Sequence, residues 1–453
     1  MGGMNGRFPR TRHRQPLYDV QALIVRNEEV GVRPPLGSTR SSMIGRLVIL
    51  TGNHLCNNPR VIKEAGTLAR AGYDVTVLGA WLDRALKDRD RKIIQSAPFA
   101  FVPVLDFTVS EAVRLFARAR SKVAHMLHRY ARAENRWQLG YAYSALRRAA
   151  FAHAADLYIA HSEQALAVAL DLLRAGRTVA IDFEDWFSED LLPQARAGRP
   201  LAMLRSLECE LLTRASYASC PSRAMSLVLA REHACDAPRA IYNAFAWEDR
   251  ALIDGERRDR RGACPRSIHW FSQTLGPGRG LEDLLAALPH VDEHAEIHLR
   301  GAPAAGFDTW LRTQVPAGWR ELVFVHPVVH NDELLSRIAE HDIGFAGEMK
   351  YCRSRDLTVT NKILYFLLAG LAVVASDTAG HREVAEQAAG AVWLYPPGNA
   401  AALAACLNSL LRSSDRLERS KHAALAAAQK ALCWERQEPV LLEAVGSALR
   451  ERS

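Results

Sequence analysis

The stretch Arg46–Gly79, RLVILTGNHLCNNPRVIKEAGTLARAGYDVTVLG, decides how the rest of the chain is read. Arg46–Thr51 is a short β-rich run that stops at Gly52. Pro59–Ala71 follows with apolar residues at helical spacing, and Tyr73–Gly79 is a second strand. Strand, helix and strand within about 35 residues is the span of a βαβ unit. Such a unit lays its strands parallel, and parallel sheets are stable when helices cover both faces.

Working outward, the alternation continues. Short apolar runs stand at Leu157–Ala160, Thr178–Asp182, Tyr217–Cys220 and Ala240–Asn243, with helical patterns between them. A polar, Arg-rich stretch, Glu248–Arg266, contains GERRDRRG and reads as an interdomain linker. Strand-like runs then restart at Ser267–Ser272, Glu296–Arg300, Leu322–His326, Ile343–Ala346, Leu371–Ser376 and Ala391–Leu394. Helices are expected at Arg279–Leu288, Asp332–Glu340, Asn361–Ala369 and Ala400–Leu411. The prediction is an α/β protein of two Rossmann-like domains, parallel sheets covered by helices, facing each other across a cleft. The division runs as a disordered basic tail over 1–45, a first domain over 46–247, a linker over 248–266 and a second domain over 267–432. A last helical segment over 433–453 is expected to pack back on the first domain.

Composition agrees with a globular chain. Of 453 residues, 49% are apolar and 24% charged, which excludes collagen, a disulfide scaffold and wholesale disorder. The formal charge of +8 is local. The residues before Gly45 carry a net +4 and those between Ser110 and Ala150 a net +7, so the remainder is slightly acidic. The eight cysteines show no C-x-x-C and read as reduced, structural thiols. No apolar signal region is visible, and the longest uncharged apolar run, Ile363–Ala375, is shorter than a bilayer span. The expected location is the cytoplasm.

Four places could carry chemistry. Phe271–Gly280, FSQTLGPGRG, follows a strand and opens a helix. Gly276 and Gly278 fit a dinucleotide fingerprint but Leu281 stands where its third glycine belongs, so nicotinamide binding is not expected. Glycines such as Gly278 and Gly280 still let a backbone approach a phosphate, and Arg279 adds a forked cationic donor. In Thr358–Gly370, TVTNKILYFLLAG, Thr360 and Asn361 precede Lys362 in the first turn of an apolar helix. A cation there conflicts with the helix dipole unless an anion shares the site. His161 ends a strand and is expected to face the cleft. Asp182, Glu184 and Asp185, in DFED, end the next strand and could bind hydroxyls or act as base. Asp88-Arg89-Asp90 has D-x-D form but lies in KDRDRK and reads as a solvated turn. His290, His294 and His298 are spaced by four, but Pro289 breaks any helix that would carry all three. No metal site is expected.

The basic stretch Glu111–Ala150 has two readings. VRLFARARSKVAHMLHRYARA lies on an anionic membrane surface, at the inner membrane face, or it is an amphipathic helix packed on its own domain with a basic outer face. No nucleic-acid module accompanies the charge, so nucleic acid is not expected as a partner.

The chain resembles the GT-B glycosyltransferases, in particular the retaining family 4 type, from roughly Arg46 to Lys430. The first domain carries the likeness in NNPRVIKEAGTLARAGYDVTVLG, ADLYIAHSEQAL, AIDFEDWFSEDL and SYASCPSRAMSLVLAREH followed by AIYNAF. The second carries it in FSQTLGPGRGLEDLLAAL, FVHPVVHNDELLSRIAEHDIGFA and NKILYFLLAGLAVVASDTAGHREV. The resemblance implies a nucleoside-diphosphate sugar as donor substrate, a glycan or lipid-linked sugar as acceptor, and no further cofactor or metal. It places Arg279 on the donor diphosphate, Lys362 at the lead-in to the last donor-binding helix, and His161 beside the transferred sugar. The loop from Gly52 to Arg60 closes over both substrates. The family's two glutamates are replaced by Leu357 and Tyr365, and Glu348, Arg355 and Asp356 stand near enough in sequence to compensate. The expected activity is a metal-independent, retaining glycosyltransferase of the hexosyltransferase type, serving polysaccharide biosynthesis. The alternatives are a non-catalytic binding or assembly protein of the same fold, or a sugar-nucleotide epimerase.

Overall fold

The computed structural model describes residues 44–191, 193–196 and 198–451. The tail expected over residues 1–45 therefore lies outside the described residues through Met43. Two parallel sheets organise the rest. The first holds β1 (Arg46–Leu50), β2 (Asp74–Trp81), β3 (Ala100–Asp106), β4 (Leu157–His161), β5 (Val179–Asp182), β6 (Tyr217–Cys220) and β7 (Arg239–Ala240), in the order β3-β2-β1-β4-β5-β6-β7. The second holds β8 (Ser267–Leu275), β9 (Glu296–Pro303), β10 (Val323–His326), β11 (Ile343–Ala346), β12 (Ala372–Ser376) and β13 (Val392–Tyr395), in the order β10-β9-β8-β11-β12-β13.

In both sheets the strand order reverses at a central pair. Leu50 of β1 stands between Leu78 and Ala160, so β1 and β4 flank the first switch point. Ile268 of β8 stands between Ile297 and Ile343, so β8 and β11 flank the second. Ligands of open parallel sheets bind beyond the strand carboxyl ends at such points.

The opening βαβ unit forms for local reasons. Pro59 occupies the first turn of the helix Pro59–Arg70, where its missing N–H costs nothing, and the Asn58 side chain caps that turn through Val61 N. Val61, Ala65 and Leu68 are fully buried on one face, against β1 and β2. The helix Glu438–Arg450 returns to the same core with Leu441, Ala444, Val445 and Ala448. Trp434 Nε1 and Glu438 both bond Thr67 Oγ1, at 2.9 and 2.7 Å.

Some sequence expectations are corrected. β3 is an additional strand. Its Pro103 argues against a strand, but β3 is the sheet edge, where a missing N–H is tolerated. KDRDRK is no solvated turn. It lies in the helix Arg84–Ser96, and Asp90 is fully buried. The Glu248–Arg266 stretch, expected as an interdomain linker, is tied to the second sheet's domain by ion pairs. Arg260 bonds Glu296 and Asp342, and the nearly buried Arg337 reaches Asp254. β7 stops at Ala240, and the helix expected at Arg279–Leu288 spans Leu281–Ala287.

Candidate functional site

The carboxyl ends of both sheets open on one cleft of about 700 Å³, a volume in the usual range for small-molecule sites. First-domain residues Asn57, Asn58, Arg60, Arg89, Glu184 and Asp185 line one wall. Phe271, Arg279, Glu348, Arg355 and Thr360–Lys362 line the other, with Tyr365.

The first wall rests on a buried polar network. His54 Nε2 accepts the backbone N–H groups of Leu82 and Asp83, so its Nδ1–H donates to Asp90 Oδ2 at 2.8 Å. Asp90 Oδ1 accepts Cys56 N, which pins the loop before the first helix. Arg60 forks onto both oxygens of Asp182 at 2.7 and 2.6 Å and donates to Ile241 O. His161 lies beneath this pair. Its Nδ1 donates to Glu184 Oε1 at 3.0 Å, and its Nε2 is 2.7 Å from Glu64 Oε2. Burial opposes a charge on this ring, but Glu64, Glu184 and Asp182 together overcome it and raise the pKa to about 10. His161 is thus an imidazolium sealed below the wall. This corrects the expectation that it faces the cleft: Glu184, which it holds together with Asn58, is the residue at the surface.

Asp185 is different in kind. It lines the cleft with no hydrogen-bond partner among the described residues. Burial, with Asp190, Glu184 and Glu163 nearby and against the pull of Arg355, pushes its carboxyl up to about 7.

The second wall begins at Gly280, whose φ of +79° and place against Gly347 exclude a side chain. Arg279 beside it is exposed, with no carboxylate partner among the described residues. Lys362 Nζ donates to Glu348 Oε1 at 2.7 Å; burial alone would raise the Glu348 pKa, but Lys362, with Arg355 and His381 adding, brings it below the ordinary value. Glu348 N donates to Ser376 Oγ. His381 Nδ1 faces the Ser376 carbonyl, which only accepts, so Nε2 accepts from the Thr360 hydroxyl at 3.0 Å. Asn361 Oδ1 accepts from Asn243 of the first domain. The first turn of the helix Asn361–Ala369 is therefore fixed at the cleft, with the positive end of its dipole and Lys362 together.

Of the residues expected at the site, Arg279, Glu348, Thr360, Asn361 and Lys362 share the cleft wall. Gly52, Gly278 and Gly280 shape loops rather than line it. Gly52 packs on Gln164, where a Cβ would come within 2.6 Å of Nε2. Asp356 turns away, pairing with Lys350 and accepting Ala379 N. Leu357 is buried in the first domain's core, and its carbonyl accepts the Ser222 hydroxyl. Tyr365 stacks on Phe245 at 3.6 Å between centroids and meets Phe271 edge-on. Arg89 was missed, and it carries no carboxylate partner among the described residues. A helical reading of KDRDRK would have aimed it at the first wall.

Two clusters have metal-ligand atoms within reach of one another, His54–Cys56–Asp90 and Glu64–His161–Asp182. Neither suits an ion. The ring nitrogens of His54 and both Asp90 oxygens are committed, and burial keeps the Cys56 thiol protonated, up to about 12. In the second, His161 is held protonated and Arg60 occupies Asp182.

Residues 266–413 match the family model described as glycosyl transferases group 1. HepE of Anabaena, solved with UDP-glucose, shares 17% identity over 89% of this chain and 100% of its own, with a TM-score of 0.65. Sucrose-phosphate synthase of Thermosynechococcus elongatus shares 13% identity, over 90% of this chain and 99% of its own, at 0.63. A UDP-forming α,α-trehalose-phosphate synthase of Burkholderia xenovorans shares 11% identity with the same coverage, also at 0.63. No curated protein matches the chain in sequence. The two facing parallel-sheet domains are those of the GT-B fold.

Proposed function

Starting from a GT-B fold whose residues 266–413 match the group 1 glycosyl transferases, we propose that this chain moves a sugar from a UDP-sugar to a glycan or lipid-linked acceptor, with retention and without a metal. One observation carries the reading. The Arg279 guanidinium, which has no carboxylate partner among the described residues, and the Lys362 ammonium at a helix start line one cleft wall, facing hydroxyl-binding groups on the other. The UDP assignment draws on the UDP and UDP-glucose complexes of HepE. In the proposed step the bond from the sugar's anomeric carbon to the β-phosphate oxygen breaks. The acceptor oxygen bonds that carbon on the same face, and its proton passes to the departing diphosphate. Arg279, Lys362 and the N–H groups of the first helical turn stabilise the charge where it develops. Asn58, Glu184 and Asp185 orient sugar hydroxyls, with Glu184 held by His161.

A second reading, a nucleotide-sugar binder without turnover, is favoured by Leu357 and Tyr365. One is used in packing and the other in an aromatic stack, so neither supplies the missing carboxylate.

The test is thermal unfolding with UDP, GDP, ADP and TDP, alongside turnover of UDP-sugars, for wild type and Arg279→Ala. UDP at about 100 times its dissociation constant should add about 2.7 kcal/mol to the wild type. Arg279→Ala should keep its fold, lose that shift and lower turnover at least about tenfold. Unchanged turnover in the folded variant removes Arg279 from the site. A UDP shift with no transfer from any UDP-sugar selects the second reading.

A further inference from the structure

The helix Glu111–Ala131 leaves an apolar face that its own domain does not cover. It packs through a narrow face: among its residues only Ala117, Ala124 and His128 are buried. Leu115, Phe116, Val123, Met126, Leu127 and Tyr130 all face out, with Phe116 68% and Tyr130 75% exposed. At 3.6 residues per turn these six occupy about 120° of the helix circumference, beside the packed face rather than on it. The Arg120 guanidinium lies over the rings of Phe116 and Trp137, at 5.8 and 5.6 Å, which joins the half-exposed Trp137 to the same surface. An apolar stripe of this extent is normally covered by something in a soluble protein.

Charge identifies what covers it. Arg118, Lys122 and Arg129 border the stripe on the side away from the packed face, Arg132 is exposed at the helix end, and Arg148 is exposed on the helix Tyr143–Ala152. None of these five has a carboxylate partner among the described residues. The helix holds a single acid, Glu111, and Arg114 takes it. A second copy of the chain docked here by two-fold symmetry would set this cationic surface against itself. An anionic lipid surface satisfies both parts, taking the apolar side chains into the headgroup boundary and the cations onto phosphates. We infer that the outer face of Glu111–Ala131 is a docking surface for anionic membrane. The helix lies in the plane of the membrane surface and does not cross it: no helix among the described residues is long and apolar enough to span a bilayer. This stands whether or not the cleft transfers sugar.

The experiment is co-sedimentation of the full chain with vesicles of phosphatidylcholine alone and of phosphatidylcholine mixed with phosphatidylglycerol, at low and high salt. Two variants accompany it, Phe116→Ser/Val123→Ser/Tyr130→Ser and Arg118→Glu/Lys122→Glu/Arg129→Glu. The wild type is expected on the phosphatidylglycerol vesicles at low salt, released by high salt and absent from phosphatidylcholine. Each variant should partition at least about tenfold less with an unchanged melting temperature, since the altered side chains lie outside the core. No binding to phosphatidylglycerol vesicles at low salt, or equal binding by both variants, overturns the inference. So does a wild-type dimer in analytical ultracentrifugation that the serine variant turns monomeric, which would give the face to a second copy. If a triple variant melts early, the lipid and salt dependence of the wild type and the other variant still decide.

Discussion

His161 shows how a residue can end a strand beside the cleft and still not face it. Its place at the end of β4, one of the two strands that flank the switch point, was readable from the run ADLYIAH. Its direction was not, because that depends on Glu64, which the opening helix brings up from 97 positions away in sequence to 2.7 Å in space. Arg279 and Lys362 were legible because glycines and a helix start announce themselves locally. Asp185 was legible as a candidate, but its lack of partners is a property of the assembled wall. The His161 environment makes a definite prediction. Removing the cation leaves the buried Glu64 without its partner and Glu184 with only Asn58, so His161→Leu should cost about 3–5 kcal/mol in denaturant unfolding at pH 7.5. The pKa is raised, so the ring's stabilising contribution is complete below its unfolded value near 6.5 and is lost as pH rises through about 10. The difference between wild type and variant should therefore shrink as pH rises from about 6.5 to about 10. A variant of normal stability that has lost all turnover would instead put the ring in contact with substrate.

At the scale of elements, what could be read were runs whose polarity matches their period. Asn361–Ala369 and Ala400–Leu411 are found at the expected bounds because their apolar faces, caps and terminators agree. Arg84–Ser96 was hidden because its buried members, Lys87 and Asp90, are charged, and only the tertiary partners His54 and Asp106 explain them. The loop before Leu281–Ala287 tests how far the second wall depends on close backbone approach. Gly278 and Gly280 both adopt φ near +80°, so alanine at either carries the left-handed strain of about 1–2 kcal/mol. A Cβ on Gly278 meets nothing within 4 Å, whereas one on Gly280 would lie 2.5 Å from the Gly347 carbonyl and 3.0 Å from Glu348 N. Gly280→Ala should therefore displace Glu348 and its partner Lys362. The expected outcome is a larger stability loss than for Gly278→Ala and at least a tenfold weaker nucleotide shift. Equal behaviour of the two variants would mean that the loop tolerates separation from the end of β11.

Across the whole molecule, the two domains bury histidine in opposite ways, and this shapes the response to pH. The first domain holds His161 charged between carboxylates. The second stacks His269 on His341 at 4.4 Å, and His341 and His326 on His298 at 4.5 and 5.1 Å, beside Arg260 and Arg300. Burial lowers all four pKa values, against the pull of Glu296 and Asp259 on His298 and of Asp259 on His326, which falls to about 4. A histidine held neutral in the fold takes up its proton only on unfolding once pH falls below about 6.5, so each one makes stability fall with acidity. Asp185 and Glu208, both pushed up to about 7 by burial, act in the reverse sense over the same interval. The raw pH profile therefore mixes both, and a single substitution separates them. Among the described residues neither ring nitrogen of His269 has a hydrogen-bond partner, and the ring packs edge-on to Phe366. His269→Phe keeps that packing and deletes one titration. Between pH 6 and 4.5, the slope of its unfolding free energy should be shallower than that of the wild type by about 1.4 kcal/mol per pH unit. At pH 8 the variant should be no less stable, because two buried polar atoms without partners have been removed. Parallel profiles for the two proteins would show that His269 is already protonated in the fold. A deficit at pH 8 would instead show that its ring nitrogens are bonded to ordered water that phenylalanine cannot replace.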